Sequence, residues 1–76
     1  MEFDKFIQDF ATQFEETDSS IFSQETKFKD LEEWSSLMAL NIIAFTDEEY
    51  HVKIKGMDIR SAETIKDLYN TVVSKM

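Results

Sequence analysis

The chain has no cysteine and no proline, and it has a single glycine and a single histidine among 76 residues. Without cysteine there are no disulfides and no thiolate metal ligands, so the core must hold the fold, and a reducing compartment is compatible. One imidazole, His51, cannot build a zinc site alone, and it reads as an exposed histidine at a helix end. The lack of proline, the near-lack of glycine and the shortage of β-branched runs predict an all-α chain. No apolar run approaches the roughly 20 residues needed to span a bilayer. The opening stretch "MEFDKFIQDF" is acidic and amphipathic, unlike a secretory signal, and a cytoplasmic protein is the expectation. Cations are also scarce, with 8 Lys and Arg against 16 Asp and Glu and a formal charge of −8. Such a field repels phosphate backbones and disfavours nucleic-acid binding, while it speeds encounter with basic surfaces.

What is present reads as one domain over residues 1–76, near the lower size at which a core holds without staples. From Glu2 to about Glu16, the residues Phe3, Ile7, Phe10 and Phe14 recur at the spacing of one helix face. Asp4, Lys5, Asp9, Gln13 and Glu16 fall largely off that face, which predicts an amphipathic helix with an aromatic core side. From Thr17 to Lys29 the pattern breaks into a polar connection. A long connection in a small domain needs anchors, and Ile21, Phe22 and Phe28 are the candidates.

A second helix is predicted from Ser35 or Ser36 to about Tyr50, because a serine side chain can satisfy the free N–H groups of a first turn. Its apolar residues, Leu37 to Leu40 and Ile42 to Phe45, cover most of its circumference and only Asn41 interrupts them. So few helices cannot bury a helix that is apolar all round, so some of these side chains face water or a partner. The segment "HVKIKG" has no strand to pair with and reads as a loop. A brief third helix with Ile59 inward follows. Thr64 opens a last helix, with Asp67 three residues on in the manner of a capping box, and Ile65, Leu68, Tyr69 and Val72 form its stripe. The expected architecture is a small four-helix bundle with a long first loop and a short third helix.

Catalysis by this chain alone is not expected. A nucleophilic serine needs a base within reach, and the only histidine lies at the far end of the helix that Ser36 begins, more than about 20 Å away. A serine at a helix start is, however, a good carrier for a phosphate ester, because the N–H groups and helix dipole there stabilise an anion.

The stretch "WSSLMALNIIAFTDEEYHVKI", followed by "TIKDLY", resembles the acyl carrier protein family, in particular the bacterial form whose site reads W-D-S-L. The resemblance covers essentially the whole chain in helix order, loop length and size. It implies that Ser36, which precedes Leu37, receives a 4'-phosphopantetheine arm from coenzyme A through a phosphodiester. It also implies that the arm's thiol carries acyl intermediates as thioesters, which would explain a carrier without cysteine. Ser35 stands where the family has Asp beside the modified serine. Leu37, Leu40, Asp47 and Glu48 match positions presented to partners, namely a phosphopantetheinyl transferase and acyl-processing enzymes with basic docking patches. Ala39, Ile42, Ile43, Tyr50 and Ile59 match the inward face that shelters an acyl chain. Met38 and Asn41 replace acidic residues, and Thr46 and Ala62 replace larger apolar ones, which implies a specialised carrier with fewer partners. The expectation is a monomeric, non-catalytic subunit for fatty-acid, polyketide or related enzymes. The alternatives are an aminoacyl or peptidyl carrier and an unmodified acidic interaction domain.

Overall fold

Four helices, α1 (Phe3–Ala11), α2 (Ser36–Tyr50), α3 (Gly56–Ser61) and α4 (Ile65–Ser74), make up the computed structural model, which describes residues 2–76. Two short 3₁₀ turns, Ser19–Ile21 and Phe28–Asp30, punctuate the long connection between α1 and α2. No strand occurs among the described residues, and "HVKIKG" up to Lys55 runs as a loop. The architecture is therefore the small helical bundle that composition and periodicity predict.

Capping chemistry sets the helix starts. The Ser35 hydroxyl accepts the Met38 N–H at 3.2 Å and so begins α2 at Ser36. Thr64 and Asp67 form the reciprocal box at the head of α4: Thr64 Oγ1 accepts the Asp67 N–H, and the Asp67 carboxylate accepts the N–H groups of Thr64 and Glu63. Carbonyls of the long connection satisfy two further N–H groups of α4, with Ile65 donating to Thr26 at 3.1 Å and Lys66 to Gln24 at 3.0 Å. At the far end of α2, His51 takes the left-handed conformation with φ of 57°, and the Val52 N–H turns back to the Thr46 carbonyl.

The first helix is shorter than its periodicity predicts, ending at Ala11 and not at Glu16. Beyond Ala11 the chain tightens into successive turns, with Gln13 N–H on the Phe10 carbonyl and Phe14 N–H on Ala11. The next N–H groups then leave the helix register for a distant acceptor: the Glu33 carboxylate takes those of Glu15 and Glu16 and the Thr17 hydroxyl, at 3.0, 3.1 and 2.8 Å. The core face of α1 also differs from the expected stripe. Phe6 and Phe10 are fully buried, while Phe3 and Ile7 are half-buried at its edges.

Phe10 is the hub of the core. Its ring centroid lies 5.4 to 6.5 Å from those of Phe14, Phe28, Phe6, Phe22 and Phe45. Ile42 of α2 and Ile65, Leu68 and Val72 of α4 complete it, all with no exposed surface. Phe22 and Phe28 anchor the long connection as expected. Ile21 does not: it is 51% exposed, because the 3₁₀ turn that it closes points Phe22 inward in its place.

Candidate functional site

The hydroxyl of Ser36 occupies the first position of α2 and is exposed to solvent, and no hydrogen bond among the described residues engages it. The three residues before it hold that position. Ser35 caps the helix. Trp34 is half-buried, with its ring stacked on Phe14 at 6.3 Å and edge-on to Phe28 at 5.1 Å, so it covers one end of the aromatic core. Glu33 ties the segment to the exit of α1. Burial pushes the Glu33 carboxyl up, but the donors from Thr17, Glu16 and Glu15 outweigh it and hold the group below its ordinary value.

A groove of about 380 Å³ opens beside Ser36. Trp34, Ala39 and Ile59 make its apolar wall, and Ser35, Ser36 and the basic residues Lys29 and Arg60 complete its lining. The Lys29 ammonium donates to the Arg60 carbonyl at 2.8 Å, which joins the end of the long connection to α3. An accessible hydroxyl, two cations and an apolar wall fit a phosphate ester on Ser36 with an uncharged chain leading away from it.

The other residues singled out by the resemblance fall in several places. Leu37 and Leu40, 67% and 62% exposed, lie on the outer side of α2 near its start, and Asp47 and Glu48 are exposed near its end. Met57 of α3 is also exposed, at 69%. Of the inward residues, Ala39 and Ile59 line the groove, whereas Ile42, Ile43 and Tyr50 do not. Ile42 is wholly within the core, and Ile43 is half-buried against it.

Tyr50 is turned toward α1. Its ring lies 5.7 Å from Phe6 and 5.6 Å from Phe45, and its hydroxyl donates to the Asp9 carboxylate at 2.9 Å. Hydrogen bonds from Lys5 and then Tyr50 hold Asp9 below its ordinary value, while burial and the Asp9 charge raise Tyr50. Met38 and Phe45, on the same helix, are both core, at 8% and 3% exposed.

His51 is exposed at the opposite end of α2 from Ser36. No group of three or more His, Asp or Glu is gathered as metal ligands among the described residues. No helix there is long and apolar enough to cross a membrane. A larger groove, about 900 Å³, lies between α1 and the long connection. Its floor is Ile7, Ala11, Phe14 and Phe22, and neutral amides and hydroxyls make up most of its rim.

Compared with models of protein families, with curated proteins and with solved structures, the chain matches none.

Proposed function

We propose that this chain is an acyl carrier, modified on Ser36 with 4'-phosphopantetheine and acting in the cytoplasm on behalf of acyl-processing enzymes. The observation that carries the reading is the Ser36 hydroxyl, exposed at the head of a 15-residue helix and bordered by a groove with cations and an apolar wall. The W-S-S-L sequence around it, and its resemblance to the carrier family, point the same way. When attached, the arm supplies a thiol that holds the acyl group as a thioester.

The work of the chain itself is to present and to be recognised. Ser36 offers the hydroxyl oxygen that becomes the ester, and the Ser35 cap holds the first turn so that this oxygen stays outward. Leu37 and Leu40 offer apolar surface next to it, and Asp47 and Glu48 offer charge to a basic partner. Ala39 and Ile59 line the apolar wall on which the uncharged part of the arm would lie.

The test is intact mass after incubation with coenzyme A and a phosphopantetheinyl transferase shown to be active on another carrier. The parent chain and Ser35→Ala should each gain the mass of one phosphopantetheine group, and Ser36→Ala should gain nothing. Ser35→Ala should keep its modification while losing about 1 kcal/mol of stability with its cap. A parent chain unchanged in mass would remove the carrier reading and leave an unmodified helical interaction domain.

A further inference from the structure

Carboxylates outnumber cations in this chain by 16 to 8, yet the groove beside Ser36 is lined by Lys29 and Arg60 and by no carboxylate. We propose that Lys29 and Arg60 form a binding site for a phosphate group, with the Ser35 hydroxyl as a third donor.

The two cations come from distant parts of the chain, Lys29 from the second 3₁₀ turn and Arg60 from the last turn of α3. The Lys29 ammonium is held on the backbone carbonyl of Arg60 at 2.8 Å, which fixes Lys29 beside the last turn of α3. That bond uses one of the three ammonium N–H donors and leaves two for an anion. The Arg60 guanidinium adds a planar fork suited to paired phosphate oxygens. Neither side chain is neutralised by an ion pair: the two pairs among the described residues are Lys5–Asp9 and Lys75–Asp58. Ser35 Oγ accepts from Met38, so its own O–H is free to donate into the groove. Trp34, Ala39 and Ile59 supply an apolar wall beside these donors. Asp30 and Glu63 line a neighbouring depression that Lys29 shares and are the carboxylates that an incoming anion must outweigh.

The phosphate has two sources. One is the ester on Ser36, which rests on the function proposed above. The other is a free phosphate-bearing molecule, which does not.

The experiment titrates the full, unmodified chain with inorganic phosphate and follows the amide NMR signals, against chloride at equal ionic strength. Saturable shifts are expected at Lys29, Ser36 and Arg60. Affinity should fall about tenfold for Lys29→Met and again for Arg60→Ala, one charge-assisted hydrogen bond each. Lys53→Ala, an exposed cation outside the groove, should leave it unchanged. Lys29→Met keeps the apolar stem but removes the charge together with the bond to the Arg60 carbonyl, so its amide spectrum away from the groove, unchanged from the parent's, is the control that the variant is folded. Shifts no larger than those with chloride, or equal in the parent and the doubly substituted chain, would overturn the site.

In the chain carrying the arm, the phosphorus resonance should move on the same two substitutions if the ester is the occupant. If it stays still while free phosphate binds, the occupant is the free ester. Failure of Ser36 to be modified would remove the carrier function, yet the phosphate titration would still decide this site.

Discussion

Phe28 gives the sharpest test of how the long connection is held. Its side chain has no exposed surface, and its ring sits edge-on to Phe10 at 5.6 Å and to Trp34 at 5.1 Å. Truncation to alanine removes the buried ring and leaves a cavity, at a typical cost of about 3–5 kcal/mol. Two edge-to-face ring pairs, each worth roughly 0.5–1.5 kcal/mol, place this site in the upper part of that range. For 76 residues, total stability is on the order of 4–11 kcal/mol. Phe28→Ala therefore removes a large part of it. Ile21, on the same connection, is 51% exposed, so Ile21→Ala should change stability by no more than about 0.5 kcal/mol. Phe28→Leu, which keeps much of the volume but loses both ring pairs, should cost about 1–3 kcal/mol. Urea unfolding followed by far-UV circular dichroism measures all three, with Trp34 fluorescence as a second probe of the same region. Equal costs for Phe28→Ala and Ile21→Ala would refute the account of which residue anchors the connection.

Two further outcomes are expected. His51 holds a left-handed conformation that glycine adopts without a Cβ penalty; His51→Gly should raise stability by about 0.5–1 kcal/mol, and a fall in the urea midpoint would contradict the strain at this cap. Glu33 has a folded-state carboxyl below its ordinary value of 4.5, so its contribution is present above that pH and is lost as pH falls through the folded value. The stability gap between the parent and Glu33→Gln should accordingly be widest near neutrality and close on acidification; a gap that is constant or widens in acid would remove Glu33 as the tie between α1 and the Ser36 segment.

Features set by neighbours in sequence were legible. The Ser35 cap and the Thr64–Asp67 box each act over three residues, so residue type and spacing suffice to place the starts of α2 and α4. The apolar run from Leu37 to Phe45 could not all be buried, and Leu37 and Leu40 are indeed outside. The end of α1 was not legible, because its competitor is a carboxylate 16 to 18 residues away that captures the N–H groups and hydroxyl of residues 15 to 17. Ile21 and Phe22 are adjacent and both apolar, so no periodicity in an irregular stretch says which one turns inward. Phe6 lies on the same helix as Phe3 and Ile7, but only the position of α2, which brings Phe45 to 6.1 Å from its ring, selects it for the centre.

By itself the sequence determined that the chain would be helical, where two of its helices begin, and that Ser36 would stand at the head of one of them. These follow from hydrogen bonds and side-chain periodicity within a turn or two of helix, which any short window of residues contains. Only the tertiary structure decided that Lys29 and Arg60, 31 positions apart, stand together on the groove beside that serine. Their proximity is a product of how the long connection folds onto α3, driven by the burial of Phe22 and Phe28, and no local rule encodes it.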